Sequence, residues 1–288
     1  AIRAGQVGLK VAVVERRYIG GMCLNWGCIP TKVLLESARR FHKLKEIAEF
    51  GIDGVVVDKL AFNWEKVKGR SKRITRKLTA GVNFLLKKNG VELIDGVARI
   101  GTDRSVWVGD RRITAGQIII ATGSRPKPMG DAFLDAPVVE MERLFEQESF
   151  PENIVVTGNH VSTVEMAQFF RLIGRRVTLV TNSNYFLDGL DAYLVEEVTR
   201  RLASDKIELI KEGYPEKYAE GHLVVGDKKI KCELIVNCNS RKAVIPESEA
   251  PLQLTDRGFI KTDDRFRTNI DGLYAIGDVT GKSFLAHM

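Results

Sequence analysis

Two hydrophobic periods alternate along this chain. VGLKVAVVE (7–15), VELIDGVARI (91–100), SVWV (105–108), IIIA (118–121), NIVV (153–156) and VTLV (177–180) are short, β-branched runs bounded by Gly, Asn, Asp or Thr. Such runs read as strands, the first over about 9–15. Between them apolar residues recur at helical spacing. This pattern predicts a long amphipathic helix from the Gly-rich segment near 20–28 to about residue 50. It predicts further helices over about 64–88, 162–173 and 191–205. HLVVGDKKIKCELIVNC (222–238) reads as a hairpin-like segment, and TGSRPKPMGDAFLDAP (122–137) as a loop. The tail GFIKTDDRFRTNIDGLYAIGDVTG (258–281) ends in a strand and a Gly-Asp turn. The succession NIVVTG, helix, RRVTLVT is a β-α-β unit, which demands a right-handed crossover and a parallel sheet. The fold class is therefore α/β.

Length and charge narrow the reading. With 288 residues, a prior of ~150 residues per domain gives about two domains. No apolar run approaches the ~18 residues of a membrane-spanning helix. Lys and Arg number 44 against 37 Asp and Glu, a net charge of +7. The densest basic run, KVKGRSKRITRK (66–77), places Lys66, Arg70, Arg73 and Lys77 at helical spacing without interleaved aromatics. That suits a solvated helix better than a nucleic-acid surface. Four cysteines do not make a disulfide framework, and their use points to the cytoplasm. The first residue is Ala and AIRAGQVGLK has no signal-peptide character, so the expectation is a piece of a longer chain.

The chemistry concentrates in GGMCLNWGCIPTK (20–32). Cys23 and Cys28 lie in a Gly-flanked loop running into a helix. A helix N-terminus carries about half a positive charge, which lowers the pKa of a cysteine placed there. Pro30 is tolerated in the first turn, and with helix begun by Cys28, Lys32 shares its face at i+4. Two close cysteines, one activated, form a thiol–disulfide exchange couple. Zinc would need further ligands that no second close Cys/His pair supplies. Cys232 and Cys238 flank a predicted strand and read as ordinary buried cysteines.

This loop resembles the active-site signature of the flavin-dependent pyridine nucleotide-disulfide oxidoreductases, the class that includes dihydrolipoamide dehydrogenase, glutathione reductase and mercuric reductase. LNWGCIPTK, KVLLESA and the terminal GKSFLAHM look most like the dihydrolipoamide dehydrogenase branch. Met22 departs from the Thr or Ser expected there. The resemblance implies that Cys23 exchanges with the substrate and that Cys28 and Lys32 serve the flavin. It also implies that Glu165, in VEMA, pairs with Lys32.

The same resemblance implies an FAD site. Glu15 ends a strand, where an acidic residue hydrogen-bonds the adenosine ribose. Its GxGxxG companion lies ~20 residues upstream in such folds, before residue 1. Gly20 and Gly21, the turn Ala121-Thr122-Gly123, and Gly277-Asp278 in YAIGDV complete the expected FAD set. The C-terminal interface domain, with its His-Glu dyad, is likewise expected outside this chain. His287 matches a helix-start position near the flavin, not the acid/base. The isolated chain is expected to bind FAD poorly and to turn over little.

The NAD site departs from its pattern. GxGxxG or GxGxxA reads Gly158-Asn159-His160-Val161-Ser162-Thr163, and Thr181 takes the acidic position, followed by neutral Asn182–Asn184. GRxPN reads NSRKAVI (239–245), leaving Arg241. Either His160 and the neighbouring basic residues still hold a pyrophosphate in an altered NAD site that keeps Gly158 and Arg241, or the unit keeps its fold but has lost NAD(H) or uses another donor. The expected domains are 1–150 (FAD-binding), 151–267 (NAD-binding type) and 268–288 (return to the FAD domain). The expected function is disulfide oxidoreduction on lipoamide or a lipoyl-domain dithiol, in a cytoplasmic homodimer with no membrane or nucleic-acid partner. The alternatives are a glutathione- or mercuric-reductase-like enzyme, or a non-turnover flavin-binding subunit or redox sensor.

Overall fold

The computed structural model describes residues 1–181, 186–187, 189–211 and 213–286. Asn182–Asn184 and His287 of the sequence reading lie outside them. The chain forms two compact units. One gathers Ala1–Gly21, Lys77–Arg125 and Arg241–Met288; the other gathers Met22–Arg76 and Pro126–Ser240.

The second of these is built on a five-stranded parallel sheet. Its order is Glu208–Ile210, Arg176–Val180, Asn153–Thr157, Leu234–Asn237, Val138–Glu140. Successive side chains on a strand point to opposite faces, and the two faces bury different sets. Ile154, Val156, Leu179, Leu234 and Val236 face one core, while Val155, Val180 and Ile235 face another. Burial on both faces explains why these strands read as continuous apolar runs. Helix Val161–Leu172 returns between the first two strands of the β-α-β unit and packs on them; helix Cys28–Lys45 packs on it in turn.

Aromatic rings fill the first core. Phe150 meets Phe170 edge-on at 5.0 Å, and Trp64 meets Phe150 at 4.7 Å, separations at which aromatic pairs add to simple burial. The second core is closed by an antiparallel sheet of Pro215–Ala219, His222–Val225 and Lys228–Lys231. The hairpin expected over 222–238 therefore covers only its first two strands. Leu234–Asn237 is buried at all four positions and joins the parallel sheet. The alternating HLVV and KKIK suit a strand with one solvated face, whereas LIVN has no polar face to offer water.

The other unit pairs Ala12–Glu15 with Glu92–Asp95 in parallel. Its four-stranded sheet runs Glu247–Ser248, Ala98–Ile100, Ser105–Val108, Arg111–Thr114. Leu273–Ala275 pairs in parallel with Ile118–Ile120, so the tail strand returns beside the IIIA run. Ile100, Ile120, Ile260, Leu273, Ala275 and Val279 form its core.

Two expected elements differ in extent. Helix Cys28–Lys45 stops short of residue 50, and Ile47–Phe50 continues as a 3-10 turn. Its last buried residue is Ala38, and beyond it Phe41 meets Phe62 edge-on at 5.5 Å before the helix ends. The basic helix spans Trp64–Lys88, with Lys66, Arg73 and Lys77 exposed. Among the described residues no helix is long and apolar enough to cross a membrane.

Candidate active site

Cys23 sits in the helical turn Gly21–Asn25, and Cys28 is the first residue of the helix that follows. The turn between them is closed by backbone N–H groups of Trp26 and Gly27, which both donate to the Met22 carbonyl at 3.0 and 2.7 Å. Gly27 lies so close that a Cβ there would stand 3.3 Å from the Cys23 Cα. Pro30 occupies the third helical position, where its missing N–H has no intrahelical acceptor to lose. Both cysteines are half-buried and reduced.

The Cys23 thiol is pushed up to about 11. Burial is the largest cause, followed by its hydrogen bond and charge coupling to Cys28, while Lys32 acts weakly in the other direction. The helix N-terminus belongs to Cys28, so its lowering field does not single out Cys23. Cys232 and Cys238 are buried, and burial pushes the Cys232 thiol up to about 11 as well.

Lys32 lies one turn beyond Cys28. Its Nζ donates to Glu165 Oε1 at 2.7 Å, joining the Cys28–Lys45 helix to Val161–Leu172. The lysine side chain is 60% exposed and the glutamate 20%. Such a pair contributes at most ~1 kcal/mol to stability, so its consequence is the position of the ammonium group rather than the strength of the fold.

In the other unit, Glu15 Oε1 accepts backbone N–H groups from Arg17 (3.0 Å) and Tyr18 (3.1 Å), which fixes the carboxylate at the strand end. Gly20 and Gly21 follow with φ of 88° and 65°. Ala121, Thr122 and Gly123 leave the strand Ile118–Ile120, and the Thr122 hydroxyl donates to the Val244 carbonyl at 2.5 Å. Asp278 accepts a 2.6 Å hydrogen bond from the Ser124 hydroxyl. Arg241 Nε donates to the same Ser124 oxygen at 2.6 Å and stands 3.6 Å from the Asp278 carboxylate. Arg241 is thus placed at the Gly-Asp turn. Ser124 escaped the sequence reading, although it directly follows the ATG turn.

At the β-α-β crossover, Gly158 has φ of 139°, and a Cβ there would stand 2.3 Å from the Cys238 carbonyl oxygen and 2.7 Å from the Thr163 hydroxyl. His160 is the N-cap residue of helix Val161–Leu172. Thr157, Thr163 and Thr181 are buried, and their hydroxyls have no hydrogen-bond partner among the described residues.

A family profile described as pyridine nucleotide-disulphide oxidoreductase matches residues 1–288. The chain belongs to this family. A dihydrolipoyl dehydrogenase of Acholeplasma laidlawii is 35% identical over 297 residues, covering all of this chain and 88% of its own length. Those of Rhizobium etli and Zymomonas mobilis are 31% and 33% identical, and the chain spans 66% and 65% of their lengths. Among solved structures, LpdA from Mycobacterium tuberculosis superposes with a TM-score of 0.85 at 20% identity, covering all of this chain and 65% of that one. The HOCl-induced flavoprotein disulfide reductase RclA from Escherichia coli superposes at 0.82 and 22%, covering 100% and 64%. These two likenesses show the fold.

Pyridine nucleotide-disulphide oxidoreductases use FAD and NAD(H). The FAD set fits this chain. Glu15 and Asp278 present carboxylates, and a Cβ at Gly123 or Gly277 would enter open space, leaving room for a ligand to approach the backbone. The NAD set fits only in its first glycine. Thr181 offers no carboxylate to a ribose, and Thr163 fills the position where a smaller residue lets helix and strand close together.

Proposed function

We propose that this chain is the redox-active part of an FAD-dependent disulfide oxidoreductase of the dihydrolipoyl dehydrogenase type. It exchanges electrons between a small dithiol or lipoyl-domain substrate, the Cys23–Cys28 couple, FAD and NAD(H), in a cytoplasmic homodimer. The observation that carries this reading is the pair of half-buried, hydrogen-bonded cysteines one helical turn from the Lys32–Glu165 ion pair. Glu15, Gly20, Gly21, Ala121, Thr122, Gly123, Gly277 and Asp278 are the residues proposed to hold FAD. The functional domains are proposed as 1–150, 151–267 and 268–288.

Thiol–disulfide exchange defines what the cysteines do. Starting from a Cys23–Cys28 disulfide, a substrate thiolate attacks Cys23 Sγ, and Cys28 leaves as a thiolate. The second substrate thiolate then attacks the substrate sulfur of the mixed disulfide and releases Cys23. The substrate becomes a cyclic disulfide, the protein gains two electrons, and two protons are shared among solvent and the protein thiols. Bound FAD supplies the route by which the electron pair leaves the dithiol. Lys32, held by Glu165, keeps a positive charge beside the helix start that receives the Cys28 thiolate.

The test needs no flavin. The oxidised chain is treated with dihydrolipoamide, and free thiols are counted by mass after alkylation. Reduction of one disulfide per chain at Cys23–Cys28, absent in Cys23→Ser and Cys28→Ser, is the expected result. A disulfide that dithiothreitol reduces but dihydrolipoamide leaves intact sinks the substrate assignment. A second reading, a flavin-binding redox sensor, is favoured by the substitutions at His160, Thr163 and Thr181.

A further inference from the structure

The parallel sheet of the Pro126–Ser240 unit has two ends. In doubly wound folds dinucleotides bind outside the carboxyl ends of the strands. The opposite end, where Asn153–Thr157, Arg176–Val180 and Glu208–Ile210 begin, carries a cleft of ≈ 840 Å³ in this protein. The cleft is open to solvent and lined mainly by charged side chains, so it suits a ligand held by charge rather than by enclosure.

The cleft is strongly basic. The strand Lys228–Lys231 forms one side, and the helix-to-strand turn from Arg171 through Arg176 forms another. With Lys206 these segments contribute seven cationic side chains, against the lining carboxylates of Glu152 and Glu208 and that of Glu233, which accepts from Asn153 beside Lys231, a surplus of four. The acids are already engaged. Glu152 pairs with Arg176 at 3.1 Å, and Glu208 accepts the Thr178 hydroxyl at 3.4 Å. Arg175, Lys206, Lys228, Lys229 and Lys231 make no ion pair among the described residues, and Arg175 Nε is sealed from water with no acceptor. Like charges gathered in a concave site repel one another and raise the local anion concentration.

We infer that this cleft is a second binding site, for a small ligand carrying a chain of about three phosphates. The charge decides the size. A lone phosphate supplies about −1.5 to −2 and each further phosphate of a chain adds about one more negative charge, so a single phosphate leaves half or more of the surplus unanswered and a chain of three matches it. The lining holds no aromatic side chain, so it lacks the stacking platforms of a single-stranded nucleic-acid site. The site is independent of the redox reading: it lies at the other end of the sheet from the crossover at Gly158.

Inorganic tripolyphosphate is the probe, with orthophosphate as the comparison, on the purified full chain in about 0.15 M salt. Thermal melting and titration calorimetry should show binding of one tripolyphosphate, a raised Tm, and a much smaller effect of orthophosphate. Lys229 and Lys231 are exposed, so Lys229→Glu/Lys231→Glu should keep the fold while weakening binding by roughly tenfold or more. Lys72→Glu/Lys77→Glu, equal in charge but on the Trp64–Lys88 helix, should leave it unchanged. The inference is overturned if tripolyphosphate does not bind, if orthophosphate binds as well, or if both double variants lose binding alike. Displacement by excess NADH would move the ligand to the crossover and overturn it as well.

Discussion

Cys23 keeps its proton to unusually high pH, and that has two measurable consequences. Burial and the neighbouring Cys28 favour the neutral thiol, raising its pKa from the usual 9.0 to about 11. The native fold therefore holds this proton more tightly than the unfolded chain does. The associated stability is fully present below pH 9.0 and is lost as pH rises from 9.0 through about 11. In a Cys28-intact, reduced chain, alkylation of Cys23 should follow the same window, with a midpoint near 11. Site-resolved iodoacetamide labelling across pH checks this, and a midpoint at or below 9 would show that the thiol is not desolvated as placed. Because reduced Cys23 is a weak nucleophile at neutral pH, the exchange chemistry begins more readily with attack on the oxidised pair.

The crossover from Asn153–Thr157 into Val161–Leu172 shows how local chemistry can depart from a motif while the element survives. Gly158 is held by its backbone angle and by the Cys238 carbonyl beside it, so any side chain there collides with the next strand. Thr163 instead buries a hydroxyl without a partner among the described residues, a group whose desolvation costs about 1–3 kcal/mol. Replacing it with Ala removes that cost and keeps the Cβ. Thr163→Ala is thus expected to match or exceed the parent in stability, by up to about 1 kcal/mol in chemical denaturation. A clear loss of stability would mean that the hydroxyl has found an acceptor. Element existence was legible in the sequence because the short runs NIVV and VTLV are β-branched and bounded by turn residues, and because the Trp64–Lys88 helix repeats its apolar positions over many turns. The extent of the hairpin was not legible. LIVN and HLVV are both short apolar runs, and only their burial on two faces or one separates them. In the candidate site, resemblance to the family's motifs pointed to the cysteines, Lys32 and Asp278. The Ser124 hydroxyl between Arg241 and Asp278 is a contact across 154 residues, which no spacing rule encodes.

At the scale of the whole molecule, the departures from the motif are unevenly placed. The residues proposed for dithiol exchange and for FAD keep their chemical types, whereas three positions of the nicotinamide fingerprint have changed together. A carboxylate holding a ribose makes charge-assisted hydrogen bonds, each contributing about 1.5–3 kcal/mol, and Thr181 is neutral and buried. Loss of one such bond corresponds to roughly 10- to 100-fold weaker binding. Dihydrolipoamide and NADH should therefore differ as reductants of the FAD-loaded parent protein. In an anaerobic titration followed by the flavin spectrum, two equivalents of dihydrolipoamide, one pair of electrons for the Cys23–Cys28 disulfide and one for the flavin, should bleach the flavin. NADH should do so only at large excess, because its binding rather than electron transfer is impaired. Raising NADH should then recover the full amplitude along a saturation curve. Stoichiometric bleaching by NADH would show that His160 and the surrounding backbone hold the dinucleotide without a ribose carboxylate. No bleaching at saturating NADH, in protein that dihydrolipoamide still reduces, would show that the unit has kept its fold and lost that role, favouring the redox-sensor reading.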